Sequence, residues 1–171
     1  PLVDLSGLAG LRDLERLELW TCRSLTDLSG MGRLPSLVAI ELWHCDAVAD
    51  LACLADLPAL AELVLFECPS LKGLGSLAGL SRLTKLSVAE CPGLEDLSDL
   101  SALTGLRHLA LADCASLEDL EQMSALRGLT DLYVRDCHAL RDLGALRGLG
   151  ELTSLRLYGS PALEDVSPLT H

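Results

Sequence analysis

Apolar residues recur along this chain at a fixed spacing. Leu14, Leu17, Leu19 and Cys22 form the phrase L-x-x-L-x-L-x-x-C, which returns at residues 37–45, 60–68, 83–91, 106–114 and 129–137. It appears once more at residues 152–160, with Ser160 in place of cysteine, and every step is 23 residues. With Leu14 as position 1, the apolar positions are 1, 4, 6, 9, 12, 15, 18 and 21. Positions 4 and 6 are two apart, as in a strand with one buried face. Positions 9 to 21 are three apart, the period of 3₁₀ turns, whereas an amphipathic α-helix mixes spacings of three and four. Each repeat therefore predicts a short strand, a turn and a tight coil that returns to the next strand. Parallel stacking at about 4.8 Å per strand gives an inner face on the order of 30 Å long. Residues 1–13 fit the tail of a preceding repeat, with Leu2, Leu5, Leu8 and Leu11 on positions 12, 15, 18 and 21. The last repeat runs over residues 152–171. No single unit is large enough to bury its own leucines, so neighbouring units must do it for one another.

Composition agrees with a packed array: half of the 171 residues are apolar, mostly Leu and Ala. Charged residues break every apolar run before it is long enough to span a bilayer, so no membrane segment is expected. No basic and apolar leader opens the chain, so no signal peptide is expected. The net charge of −12 opposes nucleic acid, whose phosphates need Lys and Arg, and favours a partner with a basic patch. Six of the seven cysteines occupy position 9, and only Cys53 does not. Their spacing fits neither a zinc site nor a compact disulfide framework. Small buried thiols repeated at one position act as core residues, and reduced cysteines favour a cytoplasmic location. Neither a metal nor another cofactor is expected.

Position 9 follows the strand. A small donor there, Cys or Ser160, is placed to bond the backbone of the turn, and stacked copies would form a ladder. Position 14 is aspartate at Asp4, Asp27, Asp50, Asp96, Asp119, Asp142 and Asp165, with Gly73 the exception. An aspartate just before a short helical turn caps free N–H groups.

The phrase L-x-x-L-x-L-x-x-C resembles the leucine-rich repeat, and the resemblance covers the whole chain. The run Cys22-Arg-Ser-Leu-Thr-Asp-Leu28 looks like the cysteine-type repeats of plant nucleotide-binding immune receptors. It departs from them at position 16, where they often have Pro and this chain has Ser29, Ala52, Gly75, Ser98, Glu121 and Gly144. The run Asp165-Val-Ser-Pro-Leu169 is also similar to internalin-type bacterial repeats, which usually carry Asn at position 9. The resemblance implies an α/β repeat solenoid: a curved array with short parallel β-strands on its concave face and 3₁₀ or short helical turns on its convex face. It further implies recognition of macromolecules, most often proteins, through the concave side.

In that fold, positions 3, 5, 7 and 8 face the concave solvent. All five aromatic residues lie on these positions: Trp20, Trp43, Phe66 and Tyr158 at position 7, and Tyr133 at position 5. Exposed rings are what binding surfaces use. Trp20, Trp43 and Phe66 should form one stripe on successive strands, bordered by Glu18, Glu41, Glu62, His44 and Glu67. Ser87, Ala89, Ala110 and Ala112 should form a low saddle beyond it. Tyr133, Arg135, Arg156 and Tyr158 should form a second, aromatic and cationic cluster. Glu90, Asp113 and Asp136 add an acidic edge at position 8.

His44, His108 and His138 lie near this face without an evident Ser or Cys nucleophile, and position-9 thiols should be buried and inert. An enzyme is therefore not expected. The expectation is a single array, uncapped at both ends, within a larger cytosolic signalling or immune-type receptor. It would bind a protein or peptide on its concave face, with flanking domains or end-to-end self-association covering the ends. An adhesin-type structural array and an engineered consensus scaffold stay open as alternatives.

Overall fold

A computed structural model describes residues 2–74 and 77–163. Gly75 and the Asp165 to Leu169 run lie outside the described residues. Seven five-residue strands form one parallel sheet in strict chain order. They are β1 (Arg16–Trp20), β2 (Ala39–Trp43), β3 (Glu62–Phe66), β4 (Lys85–Ala89), β5 (His108–Ala112), β6 (Asp131–Arg135) and β7 (Ser154–Tyr158). The register is constant: Leu17 lies beside Ile40, Ile40 beside Leu63, and so on to Leu132 beside Leu155. Each strand covers positions 3 to 7, with positions 4 and 6 turned to the core. Leu63, Leu86 and Leu132 are fully buried.

The return path follows directly from the spacing of three. Along the coil between β2 and β3, the N–H of Leu54 donates to the carbonyl of Leu51, that of Leu57 to Leu54, and that of Leu60 to Leu57. Each apolar residue is thus both a core side chain and a donor to the apolar residue three before it, which is the 3₁₀ pattern. Short 3₁₀ segments such as Ala52–Asp56, Ser98–Ala102 and Glu121–Ala125 lie opposite the strands. Before them the position-14 aspartates behave as expected. The carboxylates of Asp4, Asp50, Asp96, Asp119 and Asp142 accept the N–H two residues on, at 2.6–3.0 Å. Asp27 accepts both the N–H and the hydroxyl of Ser29. Those bonds, the hydroxyl's first, hold the Asp27 carboxyl below its ordinary range.

The corner between strand and coil is tighter than its sequence announces. Position 8 adopts left-handed backbone, φ 50–54°, at Thr21, His44, Glu67, Glu90, Asp113 and Asp136, and Gly159 takes the same turn at φ 59°. For a residue with a Cβ this conformation costs roughly 1–2 kcal/mol. The N–H of each of the six donates to the position-7 carbonyl of the next repeat, as Thr21 does to Trp43 at 2.8 Å and Glu67 to Ala89 at 3.0 Å. The inter-repeat ladder therefore holds the corner in place.

Position 9 then drops into the core. Cys45, Cys68, Cys91, Cys114 and Cys137 are buried, and Cys22 and Cys53 are partly so. The thiols of Cys91, Cys114 and Cys137 donate to the carbonyl two residues back at 3.4–3.5 Å, and the Ser160 hydroxyl does the same at 3.4 Å. Cys45, Cys114 and Cys137 also reach the preceding repeat, at 3.7–3.9 Å. The position-9 residues thus tie each corner to its own strand, and three of them tie it to the neighbouring repeat as well. Burial pushes the Cys45 thiol up to about 11, and that of Cys53 likewise to about 11.

Two outward sites depart from the expected pattern, Ala112 at position 7, which is 6% exposed, and Ala39. Position 3 should face solvent, yet Ala39 is buried, at 1% exposure. Its register neighbours are Arg16 and Glu62, and these two side chains approach each other across it at 3.9 Å. A small residue between two long, opposite charges is roofed over by their ion pair.

Two outcomes follow from this packing. Leu63→Ala should lower unfolding free energy by about 2–5 kcal/mol, measured by urea titration, because neighbouring repeats cannot collapse into the gap. Folded Cys45 and Cys53 keep protons that the unfolded chain releases from about pH 9, so stability should fall between pH 9 and 11. Urea midpoints across that window check this, and Cys53→Ser should make the fall shallower.

Candidate functional site

Strand alternation puts positions 3, 5 and 7 on the face of the sheet away from the core. Constant register then lines up like positions from successive strands. Trp20, Trp43 and Phe66 are adjacent in this way. The two indoles stack with centroids 4.7 Å apart and planes 2° from parallel, and Phe66 continues the stack at 4.9 Å with a 35° tilt. Trp20 remains 53% exposed, while its two successors are half-buried by their neighbours. The indole N–H of Trp20 donates to Glu18 at 3.4 Å, and that of Trp43 to Glu41 at 3.1 Å. Arg16 reaches Glu41 at 3.4 Å. His44 contacts the Glu67 carboxylate and sets its ring edge-on to Phe66 at 5.7 Å. The structure thus brings Trp20, Trp43, Phe66, Glu18, Glu41 and His44 together, as the sequence predicts.

The second cluster forms only in part. Tyr133 and Tyr158 lie 5.9 Å apart, and the Arg156 guanidinium sits 5.3 Å over the Tyr133 ring. Tyr158 is 54% exposed. Arg135 does not join them. Its guanidinium turns to the strand edge, 2.5 Å from Asp113 and 3.4 Å from Asp136. Position 7 lies next to the row of position-8 carboxylates, and their attraction outweighs that of the aromatic pair.

That edge is a charged feature in its own right. Asp46, Glu67, Glu90 and Asp113, with Pro69, Pro92 and Arg135, line an open trough of about 630 Å³. Partial burial, then the nearby Glu67 and Asp113, push the Glu90 carboxyl above its ordinary range. Glu90 and Asp113 are edge residues by their position 8 and Glu67 borders the stripe, whereas Asp46 has no such sequence signal; the trough depends on the turn that follows each strand.

A second hollow, of about 250 Å³, lies on the open face itself. Lys85, His108, Asp131, Tyr133 and Arg156 surround Ser87 and Ala110. Its Lys85 was not singled out from the sequence, although it occupies a solvent-facing position-3 site. His108 pairs with Asp131 at 3.0 Å. Among the described residues, no Ser or Cys side chain is hydrogen-bonded to a histidine, and no three His, Cys, Asp or Glu side chains converge as a metal site would require. No helix among those residues is long and apolar enough to cross a membrane.

No family model matches the sequence, and no curated protein matches it as a relative. Solved structures do match its fold. Internalin C2 from Listeria monocytogenes superposes with TM-score 0.55 at 23% identity, over 99% of this chain and 80% of its own. The leucine-rich-repeat domain of the type III effector XopL gives TM-score 0.59 at 25% identity, over 86% of this chain and 53% of its own. A leucine-rich-repeat protein of Leptospira interrogans gives TM-score 0.52 at 16% identity, over 88% of this chain and 50% of its own. This chain thus spans about half the length of the last two. The parallel one-sheet array, its 3₁₀ returns and its constant period give this chain the leucine-rich-repeat fold, with cysteine-containing repeats.

Proposed function

We propose that the array is a protein-recognition module, and that a protein or peptide binds the open face of the sheet. The observation that carries this is the Trp20–Trp43–Phe66 stack, with Trp20 exposed and the other two rings half-buried. Rigid aromatic anchors with small entropic cost dominate protein interfaces, and a ring left half in water has apolar surface still to bury. The polar border of Glu18, Glu41 and His44 supplies orientation, and Tyr133, Arg156 and Tyr158 form a second anchor. The acidic charge and the acidic edge oppose phosphate-rich polymers. Free thiols along the core suit a reducing compartment. In this reading the module serves a larger cytosolic signalling or immune-type receptor.

The test is capture from cell extract by the parent chain and by a Trp20→Ala/Trp43→Ala/Phe66→Ala variant, with circular dichroism confirming equal folding. A captured protein should then be purified and its affinity measured against both. A loss of thirtyfold or more in the variant, roughly the 2 kcal/mol of an interface hot spot, is the expected result. Equal binding to both, or none to either, would remove the stripe from recognition and leave the rings to stiffen the sheet.

A further inference from the structure

Between its two aromatic groups the open face sinks. Position 5 passes from Val64 through Ser87 and Ala110 to Tyr133 on successive strands, so β4 and β5 present small side chains between larger ones. The resulting hollow of about 250 Å³ is walled by Lys85, His108, Asp131, Tyr133 and Arg156. It suits one inserted side chain rather than a helix or a sugar chain.

Its charge sets it apart in a chain of net charge −12. Three other cations near the strands are already matched by carboxylates: Arg16 with Glu41 and Glu62, Arg23 with Asp46, and Arg135 with Asp113 and Asp136. Arg107, just before β5, is held by the carbonyls of Leu106 and Gly128. Lys85 and Arg156 flank the hollow, and among the described residues neither has a carboxylate at ion-pair distance. Asp131, the one carboxylate lining it, is engaged by His108 at 3.0 Å and by the Thr130 hydroxyl at 3.3 Å. The Tyr133 ring holds the Arg156 guanidinium by its face at 5.3 Å. A guanidinium stacked in this way keeps its N–H edge for a planar acceptor. Lys85 on β4 and Arg156 on β7 are three strand spacings apart and offset by two residues along the strand, a gap of about 16 Å that two long side chains can close around a small anion.

We infer that the hollow receives a single carboxylate, an Asp or Glu side chain of a bound protein or peptide, set between Lys85 and Arg156 with the Ser87 hydroxyl below. This deepens the recognition reading and rests on it. A lone acidic side chain gains two charge-assisted contacts here, whereas a polyanion would also meet the acidic edge along the strand ends.

The test is selection of a displayed random-peptide library on three chains: the parent, Lys85→Ser/Arg156→Ser, and the triple aromatic variant, each shown by circular dichroism to be folded. Peptides enriched by the parent are resynthesised with amidated C-termini, so that any carboxylate is a side chain. The expected result is one shared Asp or Glu position. Changing it to Asn or Gln should weaken binding to the parent roughly tenfold or more and leave binding to the double variant unchanged. A parent selection with no shared acidic position, or with no enrichment, would overturn the inference. So would equal affinity of the double variant, or a single-stranded oligonucleotide that binds the parent and not the double variant. Peptides that need the aromatic stripe and ignore Lys85 and Arg156 would leave the recognition reading standing and remove the hollow from it. Peptides indifferent to both variants would remove both.

Discussion

Most leucines among the described residues are buried, and residues one repeat, 23 positions, before or after supply that burial. A strand and its return coil cannot exclude water from their own apolar positions, so the burial exists only between neighbours. That constraint explains the absence of insertions. One extra residue in a strand would turn positions 4 and 6 to solvent, and it would pull the following corner off the carbonyl that satisfies it. The core can be monotonous, since Leu repeats at nearly every inward site, while outward sites vary freely. Core packing and surface variation are thereby assigned to different positions of the same five-residue strands.

The strand spacing carries over into the chemistry of the open face. Like positions on successive strands lie about 4.8 Å apart, and the aromatic centroids of the stripe are 4.7 and 4.9 Å apart. Flat rings at one position stack because the backbone sets them at stacking distance. Like charges at one position are crowded for the same reason. The position-8 acids show the effect: Glu90 is pushed up by burial and then by Glu67, and Arg135 is drawn away from the tyrosines to Asp113. On the neighbouring rows Arg16 bridges two glutamates. Lys85 lies beside Glu62, whose carboxylate turns to Arg16, and Arg156 lies beside Tyr133, so neither cation has a carboxylate at ion-pair distance among the described residues.

Much of this was legible in the amino-acid order. Spacings of two and three determined strand and 3₁₀ return, the single aspartate per repeat marked the turn it caps, and aromatics confined to outward positions located the stripe. These are one-dimensional signals, since alternation and capping depend on residues close together in the chain. Other features depend on residues a full repeat or more apart. Nothing in Thr21 or Glu67 announces left-handed backbone; the inter-repeat ladder imposes it. Ala39 reads as exposed until Arg16 and Glu62 close over it from either side. Arg135 reads as a partner of Tyr158 until the corner brings Asp113 beside it. Lys85 is an unremarkable surface lysine until the small Ser87 and Ala110 leave a hollow between it and Arg156. Periodicity determines which way a side chain points, and only the assembled sheet decides what it meets there, because those meetings depend on electrostatics and shape across strands.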